Sequence, residues 1–200
     1  ASVGIQKDVV VPAVALASGP DINLSNETNY SFSGTCSEDG QPVDIDLSDD
    51  ASPTANTISV NPSPICSSGS WSVTGLDVSS FVDGDVLINL NHSDALGNTV
   101  GPEINTVTKD TALPTVSITS APDINTSNEG SSTLSGACSE NGEDVDVVLT
   151  DSATPTANTI TVSPVPNCSG GAWNVTGLDV SSLVDGTVTV TADHDDAAGN

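Results

Sequence analysis

The sequence predicts an all-β protein built of two tandem immunoglobulin-like β-sandwich domains with one disulfide each. The first observation behind this prediction is an internal repeat. CSSGSWSVTGLDVSSFVDG, starting at Cys66, recurs as CSGGAWNVTGLDVSSLVDG, starting at Cys168, an offset of 102 residues. A period near one hundred residues fits one small domain per repeat. The second observation is that each repeat consists of short alternating apolar runs between turn residues, which is typical of sandwich strands.

Six strand-like runs occur in each repeat, and breakers such as TPTAN, SPVPN and DAAGN separate them. The first long run shows the period of two most clearly, because Tyr30, Phe32 and Cys36 fall on one face. No window of helical period competes with these runs. The predicted strands cover residues 13–18, 30–36, 43–47, 57–60, 71–73 and 86–90 in the first repeat, and 116–119, 133–138, 145–149, 159–162, 173–175 and 188–191 in the second.

The four cysteines occupy matching places, two in each repeat. Four cysteines allow three pairings, and the repeat symmetry favours Cys36–Cys66 and Cys138–Cys168. Each bond would close a loop of about 30 residues and contribute roughly 3–4 kcal/mol on the chain-entropy model. A disulfide requires an oxidising compartment, which predicts an exported protein, secreted or at the cell surface. A cysteine metal site is the rival interpretation, and the lack of a histidine near either pair disfavours it.

The charge balance excludes several classes of partner. Asp and Glu number 27 against two lysines, which gives a net charge of −25. Nucleic acid and anionic membrane both need clustered cations, so neither is predicted as a partner. No apolar run approaches the ~18 residues of a membrane span, so no membrane insertion is expected. Two interpretations of the acidic surface stay open: it binds divalent cations, or it keeps a surface protein soluble.

Several motifs together resemble a known family. They are V-S-I-T-S-A-P, S-G-x-C-S-E-N-G, W-x-V-T-G-L-D-V-S-S-L, D-A-A-G-N and V-T-K-D-T, and they cover nearly the whole chain. The chain is similar in these motifs to the bacterial Ig-like repeats that build the stalks of large calcium-dependent surface adhesins, including the RTX type. The resemblance implies an extracellular structural spacer whose domain junctions are stiffened by Ca²⁺. The cysteine pair is not universal in such repeats, so it marks a subgroup.

The junction between the repeats is the predicted calcium site. Both lysines directly precede an aspartate, as Lys7-Asp8 and Lys109-Asp110, and a proline follows shortly after each pair. Loops at the facing ends of two such domains carry enough oxygen ligands for one or two Ca²⁺ ions with six to eight ligands each. An Asx-turn in the DINLSNE loop and a turn role for the aspartate of DAAGN are the competing interpretations. The predicted ligands are Asp110 at the centre, Asp21, Asn23, Glu140 and Asp196 around it, and Asp8 at the equivalent joint.

Catalysis finds little support in the sequence, so no enzyme is predicted. His92 and His194 stand singly at equivalent strand ends and are expected to be solvated, because a base needs a nucleophile within reach. No Walker loop, G-x-S-x-G elbow or HExxH motif occurs. The one tryptophan of each repeat, Trp71 or Trp173, lies in a strand pattern that predicts a core residue.

The last strand of the second repeat poses a separate question. Residues 99–110 supply this strand in the first repeat, whereas Asn200 is equivalent to Asn98. Residues 1–8 align instead with residues 103–110, and Val3 and Ile5 alternate with small or polar residues as in a core-facing strand. We therefore predict an N-terminal strand or linker (1–8), a first domain (9–108) and a second domain lacking its own last strand (109–200). Two explanations stay open: excision from a longer array, or strand donation between neighbouring chains.

The function predicted from these features is mechanical. A rigid rod of repeats would extend a surface fibre or an adhesin stalk, and its partners would be other copies of itself or neighbouring repeats end to end. The alternative is an adhesin module that binds a glycan or a protein through its loops. A third class is an accessory module of a secreted enzyme. An exposed aromatic patch at Trp71 or Trp173 would favour the binding module, and burial of both would favour the rod.

Overall fold

The computed structural model of the chain describes residues 2–200 and divides into two compact units, the first ending at Ala112 and the second covering Leu113–Asn200. Ala1, the first residue of the predicted N-terminal segment, lies outside the described residues. Regular secondary structure within residues 2–200 is entirely β-strand. None of the described residues form a helix long and apolar enough to cross a membrane.

The first unit is a sandwich of two antiparallel sheets. One sheet has the strand order β1-β2-β5 and the other has the order β4-β3-β6-β7. The final strand, β7, pairs with β6 along most of its length, from Gly84 opposite Lys109 to Ser93 opposite Thr99. The strands are β1 (Val14–Ser18), β2 (Tyr30–Cys36), β3 (Val43–Asp49), β4 (Thr57–Ser59), β5 (Ser70–Leu76), β6 (Gly84–Ser93) and β7 (Thr99–Lys109).

The second unit repeats this arrangement with one strand fewer among the described residues. Its sheets have the orders β8-β9-β12 and β11-β10-β13, so β13 forms an edge where its counterpart β6 is covered by β7. The strands are β8 (Val116–Ser120), β9 (Ser132–Cys138), β10 (Val145–Asp151), β11 (Thr159–Thr161), β12 (Ala172–Leu178) and β13 (Val188–His194). All twelve predicted runs are therefore strands, and the two-sandwich prediction is confirmed.

An aromatic cluster fills the core of the first unit. The ring of Phe32 meets Trp71 edge to face at 5.8 Å and lies 5.4 Å from the ring of Tyr30. All three side chains are buried, and β2 alternates buried and exposed positions as its sequence predicts. The second unit has smaller side chains at two of these positions, Ser132 for Tyr30 and Leu134 for Phe32, so its core depends more on aliphatic packing.

Each tryptophan packs on a glycine of the neighbouring strand. The indole Nε1 of Trp71 donates a hydrogen bond of 3.1 Å to the carbonyl oxygen of Thr35, and Trp173 does the same to Ser117. A Cβ atom at Gly34 would overlap the backbone oxygen of Ala15 and the ring of Trp71. Glycine is therefore required beneath the indole, and Gly136 meets the same constraint in the second unit.

Both predicted disulfides are present, Cys36–Cys66 and Cys138–Cys168, each with a Cα–Cα distance of 5.9 Å. Each bond ties the last residue of β2 or β9 to the segment that leads into the tryptophan strand, β5 or β12. All four cysteines are buried. The disulfides therefore belong to the cores of the two units and close loops of equal length.

Candidate functional site

The edge strand β7 shows how a unit of this protein is completed. Its inward side chains near the end of the strand, Val107 and Lys109, are buried. Ile22, from the loop after β1, forms a parallel bridge to Lys109. The backbone N–H of Ile22 donates to the carbonyl of Thr108 at 2.8 Å, and the N–H of Asp110 donates back to Ile22 at 2.9 Å. The end of β7 is thus hydrogen-bonded on both sides.

A lysine is buried at the end of this strand. The Nζ atom of Lys109 lies 2.5 Å from a carboxylate oxygen of Glu27 and 3.4 Å from the carbonyl oxygen of Val78. The Glu27 carbonyl accepts a hydrogen bond of 2.8 Å from the Val78 backbone, which fixes the two acceptors beside each other. A buried ammonium is tolerated only when charge and hydrogen bonds compensate its desolvation. Glu27 and Val78 supply that compensation.

The second unit has the same acceptors but an open groove. Val180 donates its N–H to the carbonyl of Glu129 at 2.8 Å, as Val78 does to Glu27. Beside them lies a groove of about 430 Å³ lined by residues of both sheets, among them Leu134, Leu149 and Val190. Ile124, which matches the fully buried Ile22, is 39% exposed at its rim. The groove occupies the place that β7 fills in the first unit.

The predicted donor segment lies outside both sheets. Residues 2–13 belong to no strand, and the side chains of Val3 and Ile5 are 89% and 90% exposed. The segment touches the first unit near Asp8, whose carbonyl accepts a hydrogen bond of 3.4 Å from the Asn98 side chain. Two apolar side chains spaced two residues apart are therefore exposed to solvent.

Two of the acidic residues expected at the junction, Asp21 and Asp110, lie together with Asp83 at one end of the first unit. Asp21 accepts a hydrogen bond of 2.9 Å from the backbone of Thr108, and Asp83 accepts bonds of 3.1 and 2.9 Å from the N–H and hydroxyl of Thr111. The Asp110 carboxylate accepts from the backbone two residues later at 3.0 Å. All three carboxylates therefore surround the point where the chain leaves β7.

Two of the other predicted calcium ligands, Asn23 and Asp8, accept hydrogen bonds from backbone groups close to them in sequence. The Oδ1 atom of Asn23 accepts from Ser25 and Asn26, which is the Asx-turn that competes with calcium binding at this position. Asp8 forms a similar turn with the N–H of Val10 at 2.9 Å. The backbone N–H of Glu140 donates to a histidine of its own unit. The side chains of Asn23 and Asp8 therefore order the backbone around them, whereas Glu140 is held through its backbone N–H.

Asp196 is buried and braces the loop of the DAAGN motif. Its two carboxylate oxygens accept hydrogen bonds of 2.9 Å from the backbone and the side chain of Asn200. Burial raises the pKa of Asp196, but these bonds and those from Gly199 and Ala198 outweigh burial and leave the pKa below its usual value. Asp94 makes the same contacts to Asn98. Within residues 2–200, no cluster of three or more His, Cys, Asp or Glu side chains has the spacing of a metal site.

Both histidines are buried, so the prediction of solvated histidines is wrong. The Nε2 atom of His92 accepts a hydrogen bond of 3.2 Å from the backbone N–H of Glu38, and His194 accepts one of 3.1 Å from Glu140. An accepting Nε2 carries no proton, so Nδ1 must be the protonated nitrogen. It donates to the carbonyl of Pro42 at 2.9 Å in the first unit. Each imidazole is therefore a neutral bridge between the two ends of one loop, the β2–β3 loop for His92 and the β9–β10 loop for His194.

Sequence reasoning missed a second pair of buried polar residues, Asp49 and Asp151. The carboxylate of Asp49 accepts hydrogen bonds from the backbone of Ala51, from the backbone and side chain of Asn56, and from the backbone of Val82. Asp151 repeats these contacts in the second unit. The recurrence of both the aspartate and the asparagine at the repeat offset was a signal that could have found them.

Comparisons with known proteins find similar solved structures, two of which are described below. No protein-family model matches the chain, and no curated protein matches it. One matching structure is a tetra-tandem repeat in the extending region of a large adhesion protein, which is 31% identical, with 95% of this chain and 46% of that chain covered and a TM-score of 0.36. Another is the FN1-FN3 domains of chicken CNTN1, which is 12% identical, with 95% and 63% covered and a TM-score of 0.38. This chain spans less than two thirds of the length of either structure. Both superpositions have TM-scores below 0.5 and therefore do not indicate the function of this chain.

Proposed function

We propose that this chain is a non-enzymatic structural spacer, a rigid rod of tandem sandwiches in a surface fibre or an adhesin stalk. The observation that supports the proposal is that the buried histidines and aspartates, which could act as acids or bases in an enzyme, instead stabilise loops in both repeats. His92 and His194 each tie the two ends of one loop as neutral imidazoles, and Asp49 and Asp151 each accept four hydrogen bonds. Groups committed in this way stabilise the fold and are not available as acids, bases or nucleophiles.

The disulfides and the connecting segment support the same role. Disulfides persist in oxidising surroundings, which suits a secreted or cell-surface protein. The segment between β7 and β8 is short and is hydrogen-bonded near both ends, through Thr111 to Asp83 in the first unit and through Thr115 to Ser139 in the second. A short connection held in this way bends less freely than a Gly/Ser linker.

The tryptophans favour the rod over an adhesin module that binds sugars on aromatic platforms. Trp71 and Trp173 are both buried, and the indole N–H of each donates a hydrogen bond to a backbone carbonyl of its own unit. A stacking platform needs an exposed ring face. Their burial is the outcome expected for a structural repeat.

Calcium at the domain junction is part of the proposal. Asp21, Asp83 and Asp110 surround the end of β7, and carboxylate oxygens are the ligands that Ca²⁺ prefers in proteins. Backbone and amide oxygens complete calcium shells, so a site does not need three carboxylates alone. With a net charge of −25, the chain would also gain from neutralisation at this point.

Small-angle X-ray scattering on the dilute, monomeric protein tests the rod. A compact particle of 200 residues would have a radius of gyration near 16 Å, whereas two rigid units held end to end must exceed it clearly. We expect a radius well above that figure, with a pair-distance distribution that shows two maxima. A compact radius would contradict the rod, and so would the smooth profile of two units on a flexible tether.

A further inference from the structure

We propose that the buried ion pair between Lys109 and Glu27 is a load-bearing latch, which holds the end of β7 to the chain after β1 when the rod is stretched. The inference rests on the proposed structural role, because a rod under tension loads a unit through its first and last strands. Tension reaches the first unit ahead of β1 and leaves it at Asp110, where the chain passes on to the second unit. The contact between these two loaded segments therefore decides how the unit resists stretching.

The two loaded segments meet at the parallel bridge between Ile22 and Lys109. Two backbone hydrogen bonds cross it, from Ile22 to the carbonyl of Thr108 at 2.8 Å and from Asp110 to the carbonyl of Ile22 at 2.9 Å. A third runs from the N–H of Thr108 to the carboxylate of Asp21 at 2.9 Å. A force that enters ahead of β1 passes along the covalent chain to Ile22, crosses these bonds and leaves at Asp110. The bonds are the weakest links of this path.

The direction of the two segments decides how the bridge is loaded. Because the bridge is parallel, the segment that ends at Ile22 and the strand β7 run the same way. Tension pulls the first segment toward its N-terminus and β7 toward its C-terminus. These two pulls are opposite and act along the strands, so they slide the segments past each other. The bonds of the bridge are then loaded together, and bonds loaded together resist more force than bonds opened one after another.

The side chain of Lys109 adds a charge to this sliding contact. Its Nζ atom lies buried between the carboxylate of Glu27 at 2.5 Å and the carbonyl oxygen of Val78 at 3.4 Å. Sliding β7 toward its C-terminus would draw the ammonium group away from both acceptors while it is still enclosed. A buried charge that has lost its partner is strongly unfavourable. The ion pair therefore opposes the first movement that tension imposes on the strand.

Glu27 is anchored to the same loop that forms the bridge. Its backbone N–H donates to the carbonyl of Asn23 at 3.0 Å, and its own carbonyl accepts from the N–H of Val78 at 2.8 Å. Asn23 directly follows Ile22 in the sequence. The bridge and the ion pair thus connect the same two segments, the loop after β1 and the end of β7. Both must break before the loaded ends of the unit can separate.

A latch differs from an ordinary stabilising contact in the quantity that it controls. Forced unfolding is governed by the rate of unfolding, so a contact that breaks in the first step under tension changes that rate. A core residue remote from the loaded path changes the equilibrium stability instead. Val43 is such a residue, because it is buried on β3 opposite His92, which in turn stands opposite Val100 near the start of β7. It therefore lies at the other end of the sheet from Lys109.

Constant-force optical tweezers on the full chain, held by its two ends in the presence of a chelator, test the latch. The first unit is recognised by its longer released length, since its strands span residues 14–109 against 116–194 in the second. We expect K109M and E27Q each to speed forced unfolding of the first unit roughly tenfold or more. V43A should lower the stability in urea but leave the forced rate almost unchanged. E103Q is the charge control, since Glu103 is exposed on β7 away from the bridge.

E27Q keeps the shape of the side chain and one acceptor oxygen, so it provides the test independently of K109M, and circular dichroism verifies that each variant is folded. Forced unfolding of both variants at the rate of the parent protein overturns the proposal. So does a V43A variant that unfolds under force as fast as K109M at an equal loss of stability in urea. The scattering test is made on the unstretched monomer, so the rod and the latch can fail separately.

Discussion

The carboxylate of Asp49 accepts a hydrogen bond of 2.9 Å from the backbone N–H of Val82, and the equivalent bond from Val184 to Asp151 has the same length. Each bond joins the end of a central strand to the loop that enters the next strand of the same sheet. Burial raises the pKa of Asp49, but the hydrogen bonds from Asn56, Val82 and Ala51 outweigh burial, so the pKa lies below its usual value. For Asp151, the bonds from Val184 and Asn158 lower the pKa.

These aspartates should make the fold sensitive to acid. A carboxyl group whose folded pKa lies below its unfolded value of about 3.9 contributes stability that is complete above that value. The contribution is lost as the pH falls further through the folded pKa. We therefore expect the D49N variant to be less stable than the parent protein at pH 7, and the difference between them to shrink below about pH 4.

Thermal unfolding in a W173F background measures this effect, because Trp71 then reports on the first unit alone. D85N is the matched control, since Asp85 is exposed on β6 of the same sheet. It should change stability little at any pH. A difference between D49N and the parent that stays constant from pH 7 to pH 3 would contradict the assignment.

The glycine beneath each tryptophan offers a second prediction. A methyl group at Gly136 would overlap the backbone oxygen of Ser117 and the indole ring of Trp173. We expect G136A to destabilise the second unit by about 3 kcal/mol, the upper part of the range for overpacked cores. Urea unfolding followed by Trp173 fluorescence in a W71F background measures the change.

Gly130 provides the control for this substitution. A Cβ atom there meets nothing within 4 Å, so G130A should alter stability by no more than about 0.5 kcal/mol. Equal effects of the two substitutions would show that the indole moves aside at little cost.

Alternation along the strands accounts for most of what the sequence could predict. Tyr30, Phe32 and Cys36 fall on one face of β2 and are buried together, because side chains of a strand alternate between core and solvent. The repeat then transfers the strands and the disulfide pairing to the second unit. These features depend on short-range periodicity and on symmetry, and a single sequence contains both.

The same alternation, continued to the strand ends, predicts that His92 and Asp49 are buried. Val86, Ile88 and Leu90 point into the core, and His92 continues their parity. Asp49 continues the parity of Leu47 in the same way. Each of them accepts a hydrogen bond from a backbone N–H distant in sequence, that of Glu38 for His92 and that of Val82 for Asp49. Only the folded structure shows that these backbone N–H groups are within hydrogen-bond distance. From the sequence alone, a polar residue at a strand end is therefore expected to be exposed to solvent.

The last prediction concerns calcium at the end of β7. Millimolar Ca²⁺ should raise the melting temperature, and a chelator should lower it again, because a ligand bound only by the native state stabilises that state. At a concentration of 100 times Kd, the gain would be about 2.7 kcal/mol. D110N should abolish the response, since Asp110 is the expected central ligand, whereas D85N should retain it. Sodium chloride and Mg²⁺ at equal ionic strength separate binding from screening of the net charge. An equal response to all three salts, or a full calcium response in D110N, would mean that these carboxylates only order their own loops.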